Sequence, residues 1–79
     1  MKSKITVTYD LNKLAEKWPS AVVAREKVSD FSGGILHPRR MANLDSLGEG
    51  PERIRVGRKI AYPVKSLVAW MQTRMETTN

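Results

Sequence analysis

Arg39, Arg40, Asn43 and Ser46 fall close together, in a stretch that also carries Met41, Ala42, Leu44 and Leu47. Wound as a helix at about 100° per residue, Arg39, Ala42, Asn43 and Ser46 share one face. Met41 and Leu44 take the opposite face, with Arg40 and Leu47 at its edge. The polar face holds the groups that read base edges in duplex DNA. Arginine grips guanine O6 and N7 with two hydrogen bonds, asparagine does the same for adenine N6 and N7, and a small alanine lets the backbone approach a thymine methyl. A helix about 10 Å across fits the major groove. On an arbitrary amphipathic helix these residues would be no more than its solvated side, so the surroundings must decide.

Those surroundings are basic. Every charged residue from Arg53 to Lys65 is positive: Arg53, Arg55, Arg58, Lys59 and Lys65. Arg58 and Lys59 are expected at a hairpin tip, where they would reach phosphates or an adjacent minor groove. Arg53 and Arg55 admit two readings, since exposed edge strands also carry positive charge to prevent aggregation. Asp45 is unwelcome near phosphates, and a helix-surface ion pair and a cytosine contact both stay open for it. The glycines before Pro38 leave the first amides of the next helix free to face a phosphate.

Composition agrees and narrows the alternatives. Fourteen Lys and Arg against eight Asp and Glu give the 79-residue chain a net charge of +6, which favours a polyanionic partner. There is no cysteine and one histidine, so no metal site or cofactor is expected. Asp30, Ser32 and His37 are near neighbours, yet a catalytic triad needs a pocket and an oxyanion hole that two short helices do not provide. Ser32-Gly33-Gly34 lacks the Gly-Lys-Ser/Thr ending of a phosphate-binding loop. An enzyme is therefore not expected. No apolar run approaches the roughly 20 residues of a membrane span, and Met1-Lys2-Ser3-Lys4 leads into no signal-peptide core. The expected location is the cytoplasm, associated with a bacterial nucleoid. Few aromatics argue against an RNA-stacking platform.

The elements that must hold these residues can be read in order. Ile5 to Tyr9 alternates like a short strand. Asp10 caps a helix with Leu11, Leu14, Ala15 and Trp18 on one face, stopped by Pro19. A second helix is expected from about Ala24 to Phe31, with Ala24, Val28 and Phe31 inward and Arg25, Glu26, Lys27, Ser29 and Asp30 toward water. Ser32-Gly33-Gly34 ends it, and Pro38 opens the helix that runs to about Leu47, closed by Gly48. After Gly48-Glu49-Gly50-Pro51, Arg53 to Val56 and Lys59 to Tyr62 read as a hairpin. If Ile54, Val56, Ile60 and Tyr62 all face inward, Val56 pairs with Ile60 across a three-residue connection, Gly57-Arg58-Lys59, and Arg53 and Arg55 point outward. Pro63 starts the last helix, with Val64, Leu67, Val68, Met71 and Met75 in one stripe. The expectation is an α+β fold, a small winged helix-turn-helix with one hairpin wing and a C-terminal helix. Residues 1–20 form an N-terminal strand and helix extension, 21–75 the domain and 76–79 a disordered tail.

From about Ala21 to Met71 the chain resembles the small excisionase-like branch of the MerR-type winged helix-turn-helix proteins. The resemblance rests on Ala24-Arg-Glu-Lys-Val-Ser-Asp-Phe31, on the helix from Pro38, and on Gly50-Pro51 leading into Ile54-Arg-Val-Gly-Arg-Lys-Ile-Ala-Tyr62 and Leu67-Val-Ala-Trp-Met71. It implies an accessory protein of a phage, prophage or mobile element that bends double-stranded DNA near attachment sites and helps an integrase or recombinase in DNA excision. The family's helix and wing roles fall on Arg39, Arg40, Asn43, Arg58 and Lys59. The connection from Ser32 to His37 is longer than the family's, and there are extra N-terminal residues. Transcription regulators of the AlpA type share the fold, so excision and transcription regulation both stay open. A monomer is expected in solution, with cooperative binding of adjacent copies on DNA left open. A protein-interaction module using Trp18 as an exposed anchor is the alternative from another class; otherwise Trp18 belongs to the core.

Overall fold

The computed structural model describes residues 10–75. The strand expected at Ile5 to Tyr9 and the tail at 76–79 lie outside the described residues.

Helix α1 spans Asn12–Lys17. Asp10, expected to cap this helix, stands one residue ahead of the N-cap position, which is Leu11 and makes no side-chain cap bond; its Oδ1 accepts the Asn12 amide at 3.0 Å. Leu11, Leu14, Ala15 and Trp18 pack against the core, so this prefix helix shares one core with everything after it. Trp18 is half-buried, meets Phe31 edge to face at 5.4 Å, and donates its indole N–H to the Val22 carbonyl at 2.9 Å. It is a packing residue in the folded chain.

The segment expected to be one helix from Ala24 divides into three pieces. Val22–Ala24 is strand β1, Arg25–Lys27 a single 3₁₀ turn, and Val28–Phe31 the short helix α2. Strand β1 pairs with a strand almost forty residues on, and a three-residue element is too short to show a period of two. Local patterning assigns Ala24 to the helix because the partner that makes it a strand is distant in sequence.

Ser32 then organises the turn. Its buried hydroxyl donates to the Val28 carbonyl at 2.7 Å and accepts the Leu36 amide at 2.8 Å. Gly33 and Gly34 adopt φ of +68° and +89°, values that cost glycine little, and let the chain reverse into helix α3, Pro38–Ser46. Helix α3 ends in a Schellman arrangement, Glu49 amide to Leu44 carbonyl at 2.9 Å and Gly48 amide to Asp45 carbonyl at 3.1 Å.

Strands β2, Ile54–Val56, and β3, Lys59–Pro63, form the hairpin, and β3 is central in an antiparallel sheet ordered β1-β3-β2. The hairpin register departs from expectation. Val56 pairs with Lys59, Arg55 with Ile60 and Ile54 with Ala61. The turn is thus the two-residue Gly57-Arg58, with Gly57 at φ +62° and no positive φ at Arg58, as in a type II′ turn. Arg55, expected outward, shares the face of Ile60, while Ile54 and Val56 face solvent and are 40% and 69% exposed. The expected register assumed that apolar alternation must point at a core. Here the hairpin reaches beyond the core, so neither face near its tip is buried and the turn decides the pairing.

Helix α4, Val64–Thr73, closes the domain with Val64, Leu67, Val68 and Met71 buried. These residues join Val23, Val28, Phe31, Met41 and Tyr62 in one core. Trp70 Nε1 donates to the Glu49 carbonyl at 2.9 Å, and the Arg74 guanidinium lies 4.9 Å from the centre of the Trp70 ring, which ties the loop after α3 to this last helix. Among the described residues the architecture is a small α+β fold, four helices and a three-stranded antiparallel sheet, compatible with a small winged helix-like fold. Among the described residues no helix is long and apolar enough to cross a membrane.

Candidate nucleic-acid interface

All eight residues singled out for recognition are exposed: Arg39, Arg40, Asn43 and Ser46 on α3, and Arg53, Arg55, Arg58 and Lys59 on or beside the hairpin. They are exposed for a shared reason. The core takes Met41 and Leu44 from α3, so the helical period turns Arg39, Asn43 and Ser46 away from it. Ser46 is partly committed, since its hydroxyl donates to the Asn43 carbonyl at 2.8 Å.

The start of α3 and the tip of the wing come together. Pro38, the first residue of α3, lines a cleft of about 370 Å³ with Arg58, Lys59, Ile60, Arg25 and Glu26. Arg55 stands directly opposite Ile60 and is exposed, but it is not among the residues that line this cleft. His37, which precedes α3, is exposed and makes no side-chain cap bond. Arg40 is separated from this set. It lines a largely apolar groove of about 540 Å³ with Leu36, Met41, Leu44, Trp70 and Arg74.

Lys59 is already engaged. Its Nζ donates to Glu26 Oε1 at 2.7 Å and Oε2 at 3.0 Å. The hydrogen bond and the charge of Lys59 together hold the Glu26 carboxyl below the usual glutamate range. Of the two tip cations, Arg58 is the one without such a bond among the described residues.

Behind the exposed face lies a network that residue patterning did not reveal. Asp45, expected at the surface of α3, is buried, its side chain 3% exposed. Its Oδ2 accepts from Arg25 Nη2 at 2.6 Å and from the Tyr62 hydroxyl at 2.6 Å. Arg25 Nε also donates to the Tyr62 oxygen at 3.0 Å. Arg25, expected toward water, is therefore turned inward, because a buried carboxylate requires a partner. Burial pushes the Tyr62 hydroxyl up to about 12; the Arg25 bond opposes this and the Asp45 bond adds to it. Burial disfavours the Arg25 charge too, but its bonds to Tyr62 and Asp45 outweigh that and leave its pKa above the ordinary value. One signal for Asp45 was present: it follows Met41 by four residues and so lies on the core side of α3. Asp45 is thus withdrawn from any cytosine contact.

Asp30 and His37 are both exposed, and the Ser32 hydroxyl is spent on the turn. No family model, curated protein or solved structure matches this chain.

Proposed function

We propose that this protein binds double-stranded DNA through α3 and the hairpin, as an accessory protein of the excisionase kind that bends its site. The observation carrying this reading is the cleft that joins the start of α3 to Arg58 and Lys59. The cleft sets Pro38, at the start of α3, beside Arg58 and Lys59 of the hairpin, two elements distant in sequence, and simultaneous major-groove and backbone contact would use such a juxtaposition. Arg39 and Asn43 would read base edges, with Ser46 and Arg40 flanking them. Arg58 would take a phosphate or enter the minor groove, with Arg55 and Arg53 following along the backbone. A recombinase is the partner in this reading, the protein acts as a monomer on the nucleoid in the cytoplasm, and no catalytic step, cofactor or metal is assigned to it. A regulator of the AlpA type would use the same surface at a promoter.

The test is fluorescence-anisotropy binding to random-sequence duplexes and to duplexes from the ends of a mobile element, across a salt series. Tight binding to one end sequence is expected, and log affinity should fall against log salt with a slope of about −3.6 if about four cations displace counterions. Equally weak binding to every duplex, even at low salt, overturns the reading.

A further inference from the structure

We infer that Glu26 is an internal stand-in for phosphate, holding Lys59 out of the DNA-contacting set until a backbone phosphate displaces it. This rests on the DNA-binding reading and names a residue that limits it.

Three observations carry the inference. First, Glu26 presents both carboxylate oxygens to a single ammonium group, at 2.7 and 3.0 Å, the kind of anionic acceptor a phosphate would offer. Second, the pair lies at the cleft shared with Pro38 and Arg58, so the carboxylate sits within the surface where backbone phosphates are proposed to dock. Third, the pair is open to water, with side chains 66% and 55% exposed. An ion pair this accessible is weakly held and readily exchanged, unlike the buried Arg25–Asp45 pair.

The position of Glu26 follows from the sheet. Ala24, the last residue of β1, pairs with Ala61, and the 3₁₀ turn that follows sets Glu26 beside Lys59, two residues before Ala61 on β3. A residue placed there for structure alone need only be polar. A carboxylate there has a cost for DNA binding, because in the free protein it neutralises a cation that would otherwise release a counterion on contact, and in the complex it repels the phosphate that replaces it. Affinity for random duplex, which is almost wholly a backbone term, is held down as a result.

The experiment measures random-duplex affinity across a salt series for the wild type, Glu26→Gln, Glu26→Ala, and Lys59→Ala with and without Glu26→Gln. Urea unfolding verifies that each variant is folded. Glu26→Gln and Glu26→Ala are both expected to bind tighter, on the order of fivefold near physiological salt, with a salt slope steeper by about 0.9. In the Lys59→Ala background the gain from Glu26→Gln should drop below about twofold, because the cation it frees is gone. Unchanged or weaker binding by folded Glu26→Gln and Glu26→Ala overturns the inference while leaving DNA binding in place. A gain that persists in full without Lys59 overturns it as well, by assigning the effect to net charge. Absence of duplex binding in the wild type overturns the reading beneath it.

Discussion

Tyr62 donates its hydroxyl proton to Asp45 Oδ2 at 2.6 Å, and this bond joins the last turn of the exposed helix α3 to the central strand of the sheet. Arg25 grips the same oxygen at 2.6 Å. The 3₁₀ turn, α3 and β3 therefore meet at one buried atom, and the position of the helix relative to the hairpin is set there.

Removing Arg25 should be costly. Arg25→Ala leaves a buried carboxylate with only a tyrosine hydroxyl to satisfy it, and loss of one partner of a buried pair is worth about 3 kcal/mol or more. Urea denaturation measures this directly; a loss under about 1 kcal/mol would show that Asp45 gains nothing essential from the guanidinium.

Gly50 and Gly48 should respond differently to alanine. A Cβ at Gly50 would overlap Asp45 Oδ1, which has no hydrogen-bond partner of its own and belongs to a buried carboxylate held through Oδ2, whereas Gly48 has open space around it but a φ of +74°. Gly50→Ala is expected to cost about 2–3 kcal/mol through overpacking. Gly48→Ala should cost about 1 kcal/mol through backbone strain alone. Thermal unfolding of the two variants side by side gives the comparison.

Alkali should act through Tyr62. Its pKa rises from 10 to about 12 on folding, so between these values the folded chain holds a proton the unfolded chain has lost. Stability from this group is complete below pH 10 and falls as pH rises toward 12, by about 2–3 kcal/mol in total. Tyr62→Phe should start less stable, and its unfolding free energy should be flatter over that range.

The hairpin register makes Val56→Thr a near-silent change. Val56 is 69% exposed, so the added hydroxyl reaches water and stability should move by less than about 0.5 kcal/mol. In the register with a three-residue connection Val56 would face inward, and the same substitution would bury a hydroxyl at a cost above about 1 kcal/mol. Denaturant midpoints separate the two.

Arg39 and Arg58 should fail in different ways on DNA. Arg39→Ala is expected to cost about 1–3 kcal/mol at the preferred site and little elsewhere. Arg58→Ala should weaken all duplexes alike and flatten the salt slope by about one. Anisotropy titrations on matched and random duplexes distinguish base reading from backbone contact.

Helix boundaries were legible wherever proline and glycine punctuate the chain. Pro38 and Pro63 mark the starts of α3 and α4 within a residue and Gly48 the end of α3 within two, because proline fixes φ and glycine alone takes a positive φ cheaply. The exposed face of α3 was legible for a related reason, since Met41 and Leu44 fix which side is inward. What escaped was long-range. Val22–Ala24 is a strand only because β3 lies beside it, and Arg25 leaves the water only because Asp45 needs it. The hairpin shows a third kind of failure: alternation of Ile54 and Val56 suggests an inner face, but alternation carries no information about how far the core extends.

Strand β3 belongs to two assemblies at once. It carries Tyr62 into the core and Lys59 to the hairpin tip, and it is paired on one edge with β1 and on the other with β2. Swinging β3 as a whole would strip β1 from it, so the sheet braces the base of the hairpin against the rest of the described residues. In the DNA-binding reading proposed above, a duplex touching α3 and the hairpin at once would meet a braced template. Misfit would then fall to the nucleic acid, whose smooth bending costs only a few kcal/mol over a short site. Sites would be selected for pliancy as much as for letters, with easily unstacked pyrimidine–purine steps favoured at positions no side chain touches.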